Sequence, residues 1–257
     1  MNNRLYALVV IGQILSGLII LPILLYFSAP YGRHFRTGWG PVIHSRIAWL
    51  VMEFPAILVI VLVYIRYADR AVRQFSWIFL VLWQVHYIYR SCIYPLLLRG
   101  SRKTFPVILA CMAFVFNVMN GYINGYALFA LHPIHTLRYF AGFWSILGLL
   151  LFSCGLMLNI TSDAIIRGLR RNLVTGTQGY YAIPYGGFFR YVSNPHYLGE
   201  IIEWLGWALL VRTAAGWAFA WFTFTNLMPR AVLNHRWYQE HFENYPPERK
   251  ILLPFIF

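Results

Sequence analysis

The chain has 257 residues, of which 60% are hydrophobic, 19% aromatic and only 11% charged. Soluble domains average roughly 25% charged residues, so this composition excludes a soluble globular domain and indicates an integral membrane protein. The 21 Lys and Arg against 8 Asp and Glu give a formal net charge of +13. These cations are scattered over short segments between apolar stretches, so we expect no nucleic acid partner.

Apolar stretches of about 20 residues, the length that crosses a bilayer as a helix, occur seven times. We predict membrane-spanning helices at residues 5–28, 47–65, 75–98, 104–130, 139–160, 196–211 and 213–229. The first stretch is longer than the apolar region of a signal peptide, so we interpret it as a retained helix. The predicted fold class is therefore all-α, with residues 1–257 forming a single multi-pass membrane domain and lipid as its surroundings.

An odd number of spans places the two termini on opposite sides of the membrane. The segments on the C-terminal side carry fourteen Lys and Arg residues, against six on the other side. The positive-inside rule then predicts a cytosolic C-terminus. Most polar motifs lie on this same side.

Two groups of ionisable residues fall within predicted spans. Glu53 in AWLVMEFPA is a lone carboxylate, and His86, Tyr87 and Arg90 in HYIYR share part of one helical face. Ionisable side chains inside a membrane are costly and usually functional. The alternative is structural, with Arg90 simply neutralising Glu53.

The segment NITSDAIIRGLRR follows the fifth predicted span. On a helix, Asn159, Asp163, Arg167 and Arg170 project from one face. An internal ion pair between Asp163 and Arg167 would explain part of this pattern. Arg170 and Arg171 then remain next to a loop rich in Gly and Tyr, where they could hold a phosphate.

That loop, VTGTQGYYAIPYGGFFRYVS, contains neither GxGxxG after a strand nor a GxxxxGK[ST] motif. If a nucleotide binds here, it binds without a Rossmann domain. Glycines allow close approach of the backbone to a ligand, and tyrosines such as Tyr181 offer hydroxyls and ring faces.

The following segment, SNPHYLGEIIEW, suits a helix start with Pro195 in the first turn. His196 and Glu200 are four residues apart, and Glu203 follows three residues later. We expect no metal site, because no third ligand has suitable spacing, and the three free cysteines form no metal-binding pattern. His196 and Glu200 more plausibly contact a polar ligand group or a cation from the tail.

In the tail, Arg230, Asn234 and Tyr238 recur at four-residue steps and so share one helical face. They either form a solvated helix surface or point at a polar ligand.

Several of these motifs, in this order, resemble the steroid 5-alpha-reductase family. The motifs are HYIYR, NITSD with its basic turn, YAIPYGGFFRYVS, SNPHYLGEIIEW and ENYPPERKILLPFIF. The resemblance runs from about Trp49 onward, with the preceding segment aligning poorly, and we expect a bacterial member of the family.

The resemblance implies an enzyme that uses NADPH to reduce the double bond of a 3-oxo-Δ4 steroid. Residues 1–130 would then form mainly the substrate side and residues 131–257 mainly the cofactor half. Glu53 and Tyr87 match the pair that holds the steroid C3 carbonyl. The positions that match nucleotide contacts are Asn159, Asp163, Arg170, Tyr181, His196, Glu200, Arg230, Asn234 and Tyr238.

The sequence departs from the family pattern at a few positions. Ala182 stands where animal members carry arginine, and His196 and Asn234 replace Asn and His of some relatives. An apolar substrate cavity is expected to be lined by Trp49, Phe54, Phe114 and Phe116, although single aromatic residues of this kind more often pack between helices. We expect a monomer in the endoplasmic reticulum or a bacterial inner membrane, with its active site open to the cytosol.

The expected mechanism has Tyr87 and a protonated Glu53 as two hydrogen-bond donors to the enolate oxygen. Three alternatives stay open. The substrate could be another lipid enone, a sterol or a polyprenol. The chain could also be a membrane methyltransferase that uses S-adenosylmethionine. A transporter or structural membrane protein is the third possibility.

Overall fold

The computed structural model describes residues 3–98, 104–134, 136–173 and 181–257, without the side chains of residues 71 and 170–173. The helices are α1 Asn3–Tyr26, α2 Ser45–Tyr67, α3 Arg70–Ile88, α4 Tyr94–Leu97, α5 Val107–Tyr126, α6 Phe143–Leu173, α7 Pro195–Val211 and α8 Ala214–His241. A π-helical turn, Tyr89–Ile93, joins α3 to α4, and a second one, Ala127–Leu131, continues α5. The seven long helices therefore follow the seven predicted stretches in order.

Four helices of the described residues are long and apolar enough to cross a membrane. They are α1, α2, α5 with its π-helical continuation, and α6 over Phe143–Leu169. α7 has 17 residues, and α3 and α8 carry more polar side chains.

The observed helix ends differ from the predicted ones at several places. α6 continues to Leu173 and α8 to His241, since their polar residues keep a helical period beyond the apolar part. α5 begins only at Val107, because the backbone of Pro106 is extended and pairs with Val42. Thr104–Pro106 instead forms strand β2, which pairs antiparallel with β1, Val42–His44. This small ribbon is an addition to the all-α prediction.

α6 and α7 form an antiparallel pair whose contact consists of glycines. Gly148 and Gly155 of α6 face Gly206 and Gly199 of α7. A Cβ added to Gly199 would lie 2.5 Å from the backbone nitrogen of Asn159, so these two backbones touch directly. Such small residues are typical of closely packed membrane helices, and here they bring the polar end of α6 against the start of α7.

Candidate active site

One cavity of about 1,350 Å³ lies between α1, α2, α3, α5, α6, α7 and α8. It exceeds the roughly 300–1,000 Å³ of a pocket for one drug-sized ligand, so it has room for two ligands. The predicted site residues that line it are Trp49, Glu53, Tyr87, Asn159, Asp163, Tyr181, His196, Glu200, Arg230 and Asn234. Residues from 49 to 234 in the chain thus meet at one place.

Four other predicted residues have different positions. Phe54 and Phe114 are 45% and 43% exposed and are absent from the described cavity wall, whereas Phe116 lines the cavity as expected. The reason is the helical period, which turns residue 114 away from the face shared by residues 112, 113, 116 and 117. Tyr238 lies one layer behind the wall, in contact with Arg33. The side chain of Arg170, together with Arg171 and residues 174–180, lies outside the described part of the chain.

Glu53 and Tyr87, on α2 and α3, are connected by an amide of α5. The Nδ2 of Asn117 donates to the Glu53 carboxylate at 3.3 Å and to the carbonyl of Met52 at 2.7 Å. The Tyr87 hydroxyl donates to Oδ1 of the same Asn117 at 3.3 Å. Asn117 therefore fixes the orientation of both candidate hydrogen-bond donors.

Arg90, in the π-helical turn after α3, lies at the centre of the acidic residues. Its guanidinium donates to Asp163 at 3.2 Å and is 4.0 Å from Glu200. It also stacks over the ring of Trp49 at 4.6 Å. The cation beside Glu200 thus comes from the turn after α3 and not from the tail, which was one of the two partners expected for it.

Asn159 connects α6 to the first turn of α7. Its Nδ2 donates to the carbonyl of His196 at 2.9 Å and to the Glu200 carboxylate at 3.3 Å. Arg167, one of the residues on the same face, donates to the hydroxyl of Tyr89 at 3.0 Å. The polar face of α6 is therefore joined to both α7 and the π-helical turn.

His86 and Glu203 form a second buried pair behind Tyr87. Their Nδ1 and Oε1 atoms are 2.8 Å apart, and both side chains are almost fully enclosed. Glu203, unlike Glu200, is not part of the described cavity wall; it contacts His86, whose ring packs against Tyr87.

The segment between α1 and α2 covers the polar end of the cavity with residues that sequence analysis did not single out. Arg33 donates to the Tyr238 hydroxyl at 3.1 Å. Its guanidinium also lies over the rings of Tyr181, Trp237 and Tyr238, at 5.4, 4.9 and 4.5 Å. The aromatic end of α8 thus holds a cation at the edge of the cavity.

Two further contacts attach this segment to α8. The imidazole of His34 is 3.2 Å from Oδ1 of Asn234, whose Nδ2 donates to Asn194 at 3.1 Å. Burial lowers the pKa of His34 below its ordinary value; the hydrogen bond with Asn234 opposes this shift, and the neighbouring arginines add to it. Burial also raises the pKa of Tyr31 to about 12, and this neutral phenol accepts a hydrogen bond from Arg230.

The polar end of the cavity has unused capacity to bind an anion. Arg33 and Arg230 contact tyrosine hydroxyls and rings, and neither forms an ion pair within the described residues. Nη1 of Arg33 and Nε of Arg230 are buried there without a hydrogen-bond partner in the described part of the chain. Buried donors without partners are costly, and arginine geometry matches phosphate. The other end is apolar, with Phe116 and Phe222 stacked at 4.1 Å.

Some of the missed residues carried a signal in the sequence and others did not. Asn117 is a polar side chain within an apolar helix, and the cost of such a group in a membrane marks this position as it marks Glu53. Arg33 and His34 lie in a loop whose approach to α8 depends on how α1 packs against α8. No local sequence pattern predicts the contact of these two residues with α8.

Comparisons with known proteins identify the family of this chain. A family model described as 3-oxo-5-alpha-steroid 4-dehydrogenase matches residues 103–257. Steroid 5-alpha-reductase DET2 of Arabidopsis thaliana is 40% identical over 243 residues, covering 91% of this chain and 90% of its own length. The 3-oxo-5-alpha-steroid 4-dehydrogenase 1 of Bos taurus is 38% identical, with 93% and 92% covered. The corresponding protein of Homo sapiens is 38% identical, with 90% and 87% covered.

These matches change two expectations. A coverage of 91% exceeds the roughly four-fifths of the chain that follows Trp49, so the similarity extends into the preceding segment, where poor alignment was expected. The relatives named above come from a plant and from mammals, and they give the expected bacterial origin no support.

Proposed function

Because the chain belongs to the steroid 5-alpha-reductase family, we propose that it reduces the C4–C5 double bond of 3-oxo-Δ4 steroids with NADPH. The observation that carries this proposal is the pair Glu53 and Tyr87, joined through Asn117 at the wall of a cavity with one cationic and one apolar end. The apolar end suits a steroid skeleton, and the cationic end suits a dinucleotide.

The buried donors of the polar end fit the phosphates of NADPH. Arg33 and Arg230 would hold these phosphates through the atoms that lack a partner within the described residues. Asn159, Asp163, Tyr181, His196, Glu200, Asn234 and Tyr238 surround the same end, as the family resemblance implies. When bound, NADPH supplies the hydride that is added to C5 of the substrate.

The protein's own residues act on the negative charge that develops at the C3 carbonyl oxygen. When the steroid binds, Tyr87 turns its hydroxyl from Asn117 to this oxygen, and a protonated Glu53 donates a second hydrogen bond. Two donors held in place before the reaction stabilise the enolate without reorganisation. A proton from solvent then adds to C4 of the enolate, so the product has gained one hydride and one proton.

We also propose how the chain lies in its membrane. All seven long helices cross the membrane, since polar residues within α3, α7 and α8, such as His86, Glu200 and Asn226, line the cavity and do not face the lipid. The C-terminus lies in the cytosol, on the side of the dinucleotide site. The host membrane is the endoplasmic reticulum or a bacterial inner membrane, and the chain acts as a monomer.

The first experiment identifies the ligand and the reaction. Detergent-purified protein is incubated with NADPH and testosterone or progesterone, while NADPH oxidation and product mass are followed. We expect a product with two additional hydrogens and NADP in the ligand released on denaturation. S-adenosylmethionine in the released ligand would support the methyltransferase alternative, and turnover only with another lipid enone would change the substrate class. A transporter would yield neither nucleotide nor turnover.

The second experiment tests the two donors. Tyr87→Phe should lower kcat by about 10²- to 10³-fold, the usual cost of one lost oxyanion donor. Glu53→Gln keeps a donor and should retain more activity than Glu53→Ala. Activity close to that of the unmodified protein in all three variants would refute the assignment.

Two matched variants test the position of the steroid. Phe116→Ala should raise the KM for the steroid, whereas Phe114→Ala, on the outer face of the same helix, should leave it unchanged. Equal effects of the two variants would contradict an apolar substrate end lined by α5.

A third variant tests which residue contacts the 2′-phosphate of NADPH. Arg170→Ala should reduce the preference for NADPH over NADH, and an unchanged preference would exclude Arg170 as the residue that contacts this phosphate.

A further inference from the structure

A group of large apolar side chains is exposed outside the long helices, in two segments that are far apart in the sequence. Tyr185, Phe188 and Tyr191 lie before α7, and Phe255 and Ile256 lie near residue 257; we call these five residues the aromatic patch. Phe255 and Ile256 are each 79% exposed. Contiguous apolar surface of this kind usually marks a binding surface.

The aromatic patch is held in place by backbone hydrogen bonds. The amide of Lys250 donates to the carbonyl of Tyr191 at 2.9 Å, and the amide of Ser193 donates to the carbonyl of Lys250 at 2.8 Å. The rings of Phe188 and Tyr191 are 6.1 Å apart, and those of Tyr191 and Phe255 are 5.6 Å apart. The two segments therefore form one continuous surface.

The backbone at Phe255 is unusual. Its φ of +66° lies in the left-handed region, which a bulky side chain adopts only when the surrounding structure imposes it. A closed turn does so here, because the amide of Leu252 donates to the carbonyl of Phe257 at 2.8 Å. The fold thus presents this ring outward at an energetic cost.

The position of the aromatic patch along the membrane normal can be estimated from its contact with α6. A Cβ at Gly187, next to Phe188, would lie 3.3 Å from Ile165 of α6. At 1.5 Å per residue, Ile165 is about 33 Å along the axis from Phe143. Phe143 and Trp144 are exposed aromatics at the other end of α6, and the hydrocarbon core of a bilayer is about 30 Å thick. The two groups of aromatics are therefore one membrane thickness apart.

We propose that the aromatic patch inserts into the headgroup region of the leaflet on the side where α6 ends, and that Arg190 and Lys250 contact anionic phospholipids there. Both basic side chains are exposed and adjoin the patch. Aromatic rings with basic neighbours match the chemistry of an anionic membrane interface. This contact is independent of the reductase reaction.

The depth of the patch can be measured with a nitroxide spin label. The label is attached at Ile256→Cys in a protein whose three native cysteines are replaced by alanine, reconstituted in nanodiscs of phosphatidylcholine and phosphatidylglycerol. Glu243→Cys, exposed in the turn after α8, is the matched control. We expect the label at 256 to be more accessible to oxygen than to a water-soluble nickel complex, at a depth of about 5–10 Å. The label at 243 should instead be more accessible to the nickel complex than to oxygen. Equal water accessibility at both positions would overturn the proposal.

The charge contribution is tested with the same label. Nanodiscs of phosphatidylcholine alone should move the label toward water, and Arg190→Gln with Lys250→Gln should do the same in the mixed lipid. A depth that is the same in all these samples would refute the contact with anionic headgroups. Because no measurement uses the substrate, failure here and failure of the proposed reaction are distinguishable.

Discussion

Replacing Gly199 by alanine tests whether the contact between α6 and α7 positions the site. The added Cβ would meet the backbone nitrogen of Asn159 at 2.5 Å and the carbonyl oxygen of Gly155 at 2.7 Å. Both are backbone atoms of a helix, so neither can turn aside as a side chain would. Relief of the clash requires that the two helices move apart.

The required movement follows from these distances. Ordinary contacts of a Cβ begin at 3.4 Å, so the helices must separate by about 0.9 Å. Overpacking of this kind typically destabilises a protein by about 1–3 kcal/mol. The hydrogen bond from Asn159 to the carbonyl of His196, now 2.9 Å, would lengthen to about 3.8 Å, beyond the range of a hydrogen bond. Gly199→Ala should therefore lower both the Tm and the affinity for the cofactor.

Gly168→Ala on α6 is the matched control, because nothing lies within 4 Å of a Cβ added there. It should keep the Tm or raise it, since alanine favours a helix over glycine by about 1 kcal/mol. Thermal unfolding in detergent and titration of NADPH are measured for both variants. If Gly199→Ala behaves like Gly168→Ala in both assays, the argument that backbone contact sets the position of Asn159 is refuted.

Three further variants test other parts of the site. Asn117→Leu removes the amide that orients Glu53 and Tyr87 and should lower kcat by about 10²-fold, whereas unchanged kcat would show that these groups need no support. Arg33→Met should raise the KM for NADPH by about 10- to 100-fold through loss of a charged hydrogen bond of ~1.5–3 kcal/mol; the exposed Arg236→Met should not. Because burial lowers the pKa of His34 below its ordinary 6.5, its contribution to stability is present above pH 6.5 and is lost as the pH falls through the folded-state pKa. The Tm of the unmodified protein should thus fall more steeply below pH 6.5 than that of His34→Gln, and parallel curves would contradict this.

Local features of the sequence were sufficient to predict the helices and most of the polar residues that line the cavity or lie directly behind it. Runs of about 20 apolar residues predicted the seven long helices, because a chain in lipid satisfies its backbone hydrogen bonds within each helix. The cost of a polar group in an apolar segment singled out Glu53, Tyr87 and Glu203. Helical spacing placed Asn159 with Asp163 on one face, as the structure has it.

The partners of these residues depended on the tertiary structure alone. Asp163 accepts from Arg90, 73 residues away in the sequence, and Tyr87 is connected to Glu53 by Asn117 of a third helix. Arg33 reaches Tyr238 across 205 residues. A helix specifies which side chains share a face, but which faces meet depends on how closely whole helices pack, and at α6 and α7 the absence of a side chain at Gly155 and Gly199 decides it.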